Sequence, residues 1–162
     1  MKINSMRFGE IEIVKEQLFS FPKGIPGFPY EQEFAFLPSE NNGSDKPLFA
    51  YLQSTKTPEL TFILVDPFFF FPEYEFVIDD DTEDFLETSV NNIPMIWSVA
   101  TAKGKVEDMT INLLAPVLFN IKSQKAVQMI LDTSRYTTRH KIFSSGEDVE
   151  KVEGDKDVST KP

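Results

Sequence analysis

The residue types that carry enzymatic or metal chemistry are scarce in this sequence. It contains one His and no Cys, which excludes thiolate nucleophiles, disulfides and cysteine metal sites. It also has no Gly-rich phosphate loop and no Gly-x-Ser-x-Gly motif. The single histidine, His140, lies between Arg139 and Lys141, a position more typical of a surface or structural residue than of a general base.

Two groups of carboxylates remain as chemical candidates. The run Asp79–Asp84 resembles a calcium loop in charge, but it lacks the glycine and the spaced ligands of an EF-hand. A helix cap followed by an acidic first turn explains the run better. Glu73 and Glu75 share one face of a predicted strand and offer an acid–base pair of the glycosidase type, although an acidic chain presents such pairs by chance. We therefore expect no enzyme, no catalytic residue, no cofactor and no metal.

The most unusual stretch is a run of four phenylalanines, Phe68–Phe71, between Pro67 and Pro72. No strand buries all four rings on one face, because successive side chains point to opposite sides. Either the run plugs the core from both sides, which is the favoured interpretation, or part of Phe68–Tyr74 is a docking edge for a protein.

Three amide side chains form a second candidate site: Asn112, Asn120 and Gln124. Amides near β-hairpin turns usually satisfy backbone groups of the turn. The alternative is that they line a partner site that reads backbone hydrogen bonds.

The elements that position these candidate residues are predicted to be mostly strands. Apolar residues alternate with polar ones in many short segments, bounded by turns that contain Gly or Pro. A single long strand, bent or bulged at Pro116, is predicted for 111–121, and it returns as a hairpin through 127–131. A helix over 124–131 is the competing interpretation. One short helix is expected at about 81–91, so the predicted fold is all-β, an antiparallel closed barrel-like structure.

The turn Pro22–Pro29 contains two glycines, Gly24 and Gly27, for which we predict positive φ. Residues 1–143 are predicted to form one domain. Residues 39–46 read as a polar loop, and residues 144–162 as a disordered acidic tail, because the tail has no apolar cluster to offset the entropy of ordering. Such a tail is usually solubilising, but it can also steer a basic partner.

The formal net charge of −10 over 162 residues restricts the partners. Phosphate backbones are repelled, so direct nucleic-acid binding is not expected, whereas a basic protein is attracted. The sequence shows neither a signal peptide nor an apolar run long enough to span a membrane, so a cytoplasmic location without membrane contact is expected.

Six segments, in order and spacing, resemble the flagellar assembly factor family FliW over residues 2–143. They are Phe8–Ile11, Phe21–Phe28, Pro47–Ser54, Phe62–Pro67, Asn112–Val117 and Tyr136–His140.

The resemblance implies a non-enzymatic β-barrel-like protein with two alternative partners. One is flagellin, and the other is CsrA, an RNA-binding regulator that represses flagellin translation. Free protein would bind CsrA and relieve that repression. The alternative is a structural module with a single partner, or a flagellin chaperone without a regulatory role. The resemblance does not identify contact residues, so these are expected from the aromatic run and the amides described above. They are Phe69, Phe70, Phe71, Glu73 and Tyr74 first, then Asn112, Asn120 and Gln124.

Overall fold

Alternating apolar residues produce short strands along most of the chain. The structure is a computed structural model that describes residues 1–39 and 46–143. Residues 40–45 of the predicted polar loop and the predicted tail 144–162 lie outside the described residues. The strands are β1 Lys2–Ser5, β2 Gly9–Glu12, β3 Leu18–Ser20, β4 Glu33–Pro38, β5 Phe49–Ser54, β6 Thr61–Val65, β7 Met95–Thr101, β8 Thr110–Ile111, β9 Val117–Asn120, β10 Lys125–Gln128 and β11 His140–Lys141.

Seven of these strands close into a barrel. The hydrogen-bonded order is β7-β6-β5-β4-β3-β10-β9, and β9 pairs back onto β7 through Met95–Phe119 and Trp97–Val117. The neighbours in this ring are antiparallel except β3 and β10, which meet in parallel at Lys125–Ser20. The all-β, antiparallel, closed barrel-like fold predicted from sequence is therefore confirmed.

Two apolar layers follow from this closure. The barrel interior takes buried side chains from every strand of the ring, and these include Phe19, Phe34, Leu52, Leu64, Trp97, Phe119 and Ala126. A second layer, around Phe49, Val65 and Ile111, lies between the outer face of the barrel and the segments that cover it. Strand β5 is buried at all six positions because one face lies in the barrel interior and the other is covered by the second layer and by the N-terminal residues.

The N-terminal strands stand outside the ring. Strands β1 and β2 form their own hairpin, whose Ile3 and Ile13 pack on Ala35 of β4. The Ser5 hydroxyl of this hairpin donates to the Gln53 side-chain oxygen at 2.7 Å, deep in the structure. The hairpin is thus fixed to the ring by both apolar contact and a buried hydrogen bond.

The prediction of one continuous strand over 111–121 is wrong at residues 112–116. The segment is divided into β8 and β9 by a turn at residues 112–116, in which the Asn112 side-chain oxygen accepts the Ala115 N–H at 2.9 Å. Pro116 ends this turn instead of bending a continuous strand. The hairpin that follows, β9 with β10, is confirmed over the competing helix.

Helical structure is short. Helix α2 spans Asp80–Leu86, fewer residues than the predicted 81–91, and it ends because Glu87 turns into the left-handed region at φ 61°. A one-turn helix that the sequence analysis did not predict, α1, spans Pro67–Phe70. Two 3-10 turns occupy Lys15–Gln17 and Val106–Asp108. Within 1–39 and 46–143, no helix has the length and apolar character needed to cross a bilayer.

Positive φ is confirmed for both glycines of the Pro22–Pro29 turn, with 67° at Gly24 and 90° at Gly27. Their surroundings differ. A Cβ atom on Gly24 would lie 2.8 Å from the Pro29 Cα, whereas a Cβ on Gly27 would meet nothing within 4 Å.

This difference gives a matched test of the turn. Gly27→Ala should lower the free energy of unfolding by about 1 kcal/mol, the cost of a left-handed L-residue. Gly24→Ala should cost at least about 2 kcal/mol more, because backbone atoms must also move. Urea unfolding followed by circular dichroism measures both values. Equal losses would contradict the close approach at Gly24.

Candidate partner-binding surfaces

The four phenylalanines are divided by helix α1. The Asp66 carboxylate caps this helix by accepting the Phe68 N–H at 2.9 Å, and Pro67 occupies its first turn, where a missing N–H costs nothing. A helical turn points successive side chains in different directions. Phe68 and Phe69 are 39% and 55% exposed, whereas the Phe70 ring packs 6.4 Å from that of Phe49.

The favoured expectation that all four rings are core is therefore wrong for two of them. Phe69 was among the predicted contact residues, and the structure places it at the surface. Phe70 and Phe71 are half-buried, with the Phe71 ring 5.7 Å from that of His140. Phe68 lay within the predicted docking edge Phe68–Tyr74 but not among the expected contact residues, and the cap Asp66-Pro67 was the signal that could have revealed a helical turn.

Tyr74 lies inside the structure and joins several rings. It is 4% exposed, and its hydroxyl donates to the Leu113 carbonyl at 2.7 Å. Its ring centroid lies 4.8 Å from that of Tyr136, 5.3 Å from that of Phe76 and 5.6 Å from that of Phe68. Burial raises the pKa of this phenol. Tyr74 positions its neighbours and presents little surface of its own.

The predicted acid–base pair is not on a strand. Glu73 and Glu75 both lie in the irregular segment between α1 and α2, and both are exposed. The Glu75 carboxylate lies 3.4 Å from the Arg135 guanidinium, in an exposed ion pair. The shared strand face on which that interpretation depended is absent.

The three amides satisfy backbone groups. Asn120 is 1% exposed, donates to the Leu86 carbonyl at 2.6 Å and accepts the Lys122 N–H at 3.0 Å. Gln124 donates to the Lys15 and Leu18 carbonyls at 2.6 and 2.8 Å. With Asn112 in its turn, all three amides have the structural role that amides near hairpin turns usually take.

The other titratable candidates are also structural. The His140 Nε2 accepts the Thr137 N–H at 2.8 Å, and burial lowers the pKa of this ring, so the neutral form is favoured. The Asp79 carboxylate caps α2 by accepting the Thr82 N–H at 2.7 Å, and hydrogen bonds from Thr82 lower its pKa. No group of three or more metal-binding side chains occurs within 1–39 and 46–143.

One concave surface, the apolar cleft, lies beside α1. It has a volume of about 860 Å³ and is lined mainly by apolar side chains, among them Phe36, Pro38, Phe68, Ile93, Pro94 and Trp97. The Trp97 indole N–H is buried and has no acceptor among the described residues. The exposed ring of Phe69 follows directly after Phe68 in α1. The lining residues thus present a concave, mainly apolar surface beside this exposed ring.

A second concave surface, the strand-edge groove, has a volume of about 570 Å³. Its walls are two irregular segments, 75–79 before α2 and 129–133 after β10, with Arg135 and Tyr136 at one end. Its apolar side chains include Val77 and Ile130, which are 87% and 66% exposed. Sequence reasoning missed this groove because its walls are distant in the chain.

Comparison with known proteins identifies relatives over nearly the whole chain. Residues 2–142 match the model of a family described as FliW protein. A flagellar assembly factor FliW of Desulfitobacterium hafniense is 45% identical over 96% of this chain and the whole of that protein. One from Heliobacterium modesticaldum is 39% identical over 93% of this chain and 95% of its own length.

A solved structure resembles the chain as well. The crystal structure of a flagellar assembly factor FliW superposes with a TM-score of 0.78 at 35% identity, and the match covers 88% of this chain and 97% of that one. The seven-stranded barrel is therefore shared with a protein of that name.

The buried role of Asn120 can be tested directly. Asn120→Ala leaves the Leu86 carbonyl without its short hydrogen bond in the interior, so the free energy of unfolding should fall by about 2–3 kcal/mol. Asn92→Ala is the matched control, since its exposed amide donates to the Glu87 carbonyl at 3.2 Å, and it should cost under about 0.5 kcal/mol. Thermal unfolding measures both, and similar losses would contradict the assignment.

Proposed function

The chain belongs to the FliW family of flagellar assembly factors, and we propose that it serves flagellar assembly by binding two proteins in turn. The first is flagellin, the filament subunit. The second is the RNA-binding regulator CsrA, which the free protein binds and antagonises so that flagellin translation resumes. Its place of action in this proposal is the cytoplasm, where flagellin is made.

The observation that carries the flagellin half is the apolar cleft with its exposed phenylalanines. Contiguous exposed apolar surface usually marks a site of protein association. Aromatic side chains are enriched at the centres of such interfaces and often dominate the binding energy. A filament subunit exposes, before assembly, apolar surface that the filament will bury, and the cleft offers that surface a temporary cover.

The regulator half is supported by charge. A protein that binds RNA presents a basic surface, and this chain has a net charge of −10. Opposite fields raise the rate of encounter and fall off with added salt. Contact at the RNA-binding face would displace RNA directly, and binding elsewhere would act through a coupling free energy between two sites.

The partner switch is tested by a three-way competition. The protein is titrated into a complex of CsrA with labelled flagellin leader RNA at low and moderate salt, and flagellin is then added. We expect release of RNA that flagellin reverses, with weaker release at the higher salt concentration. Binding of flagellin without release of RNA at either salt would leave a flagellin chaperone with a single partner.

The apolar cleft is tested by substitution. Phe68→Ser and Ile93→Ser should each weaken flagellin binding at least about tenfold, because each removes an exposed apolar side chain that lines the cleft. The control Val14→Ser changes an exposed residue that lines neither concave surface, and it should leave the affinity within about twofold. Calorimetric titration measures all three. Unchanged affinity in both cleft variants, with the fold intact, would show that flagellin binds to another surface.

A further inference from the structure

We propose that the strand-edge groove is a second docking site, which binds an extended basic segment of a partner protein as an added β-strand. This inference rests on the proposed function, because it assigns that site to the basic partner, CsrA, and leaves flagellin on the apolar cleft. Its consequence is that the two partners occupy different surfaces, so flagellin would displace CsrA through a coupling free energy between the two sites and not by overlap.

After β10 the backbone continues in the direction of the strand and stays hydrogen-bonded to the segment before β9. The Met129 N–H donates to the Pro116 carbonyl at 2.9 Å, and the Leu131 N–H donates to the Leu114 carbonyl at 2.8 Å. These bonds extend the β9–β10 hairpin by two residue pairs. Because backbone groups of alternate residues point to opposite edges of a strand, the N–H and C=O of Ile130 face away from the hairpin.

This outer edge has no partner within the chain as described. Among the described strands, β3 alone pairs with the other edge of β10, and it does so at the single pair Lys125–Ser20. No backbone hydrogen bond within the described residues uses the N–H or C=O of Ile130. The edge therefore stays open as a template for another strand.

The opposite wall is also open. In the segment 75–79, the Glu75 N–H donates to the Tyr136 hydroxyl at 3.2 Å and the Asp79 carbonyl accepts the Glu83 N–H at 3.0 Å. The amides of Phe76, Val77 and Ile78 have no acceptor among the described residues. Val77 and Ile130 expose apolar side chains beside these free backbone groups. Free backbone groups and alternating apolar contacts are the requirements for recognition by strand addition.

The occupant is identified by charge. Among the described residues, the groove carries the carboxylates of Glu75, Asp79 and Asp132 and one cation, Arg135, which is already paired with Glu75. This balance favours lysine or arginine on the incoming segment. It disfavours the chain's own residues 144–162, in which Asp and Glu outnumber Lys, and it disfavours a second copy of this acidic protein.

The test separates backbone pairing from side-chain contact at one residue. Ile130→Pro removes the outward N–H and keeps the inward bonds of Met129 and Leu131, and proline is tolerated at an edge position of this kind. Ile130→Ala keeps the N–H and removes most of the side chain. With full-length protein and purified CsrA, we expect Ile130→Pro to weaken binding at least about tenfold and Ile130→Ala about threefold, while both retain the melting behaviour of the folded protein.

Amide hydrogen exchange supplies the second readout. On addition of CsrA, the Ile130 amide and at least one amide of Phe76–Ile78 should exchange at least about tenfold more slowly. Binding of CsrA without this protection, or unchanged affinity of folded Ile130→Pro, would overturn the assignment of the groove as the CsrA docking site and leave the proposed function intact. Protection by flagellin instead would overturn the assignment of partners. Failure of CsrA to bind at low salt would instead remove the regulatory half of the proposed function, together with the occupant inferred here.

Discussion

Closure of the sheet between β7 and β9 is the constraint on which the rest of the structure depends. A closed ring uses most of the backbone donors and acceptors of its strands, and among the described residues an edge stays open where the chain continues past β10 beyond its short pairing with β3. It also creates an interior that accepts only every second side chain of each strand. The intervening apolar residues, such as Phe49 and Val65, then need a cover on the outside. The segments before α2 and after β10 supply that cover, and the strand-edge groove lies between them. The apolar cleft is instead lined in part by Phe36 and Trp97 of the interior layer.

Aromatic packing connects these two surfaces. Tyr74 is buried between Phe68, which lines the apolar cleft, and Phe76 and Tyr136, which line the strand-edge groove. Its hydroxyl is fixed to the Leu113 carbonyl in the turn between β8 and β9. A change in the position of the Tyr74 ring would displace aromatic side chains that line each of the two concave surfaces. Tyr74 therefore connects the walls of the two sites of the proposed function.

The candidate site shows where sequence patterns lose information. Aromatic richness directed attention to residues 68–74, and the structure does expose two rings there. In sequence the run is typical of a strand or a loop, so the expected contact residues included Tyr74, whose ring is buried, and did not include Phe68. Asn120 and Gln124 took the structural role because each reaches a backbone carbonyl in a distant segment, Leu86 for Asn120 and Leu18 for Gln124. Asn112 instead accepts an N–H within its own turn. Partners in distant segments are invisible in a linear pattern.

The sequence by itself determined the strand pattern, the hairpin after Asn120, the positive φ of Gly24 and Gly27, the acidic charge and the scarcity of catalytic residue types. These depend on local backbone preference, period-two alternation and composition. Only the tertiary structure decided which rings of the phenylalanine run are exposed and where the long apolar segment breaks. It alone decided that Ile130 has an open edge, because the inward bonds of Met129 and Leu131 join segments brought together by folding. Exposure and free hydrogen-bonding groups are properties of the packed chain, and they determine where a partner can bind.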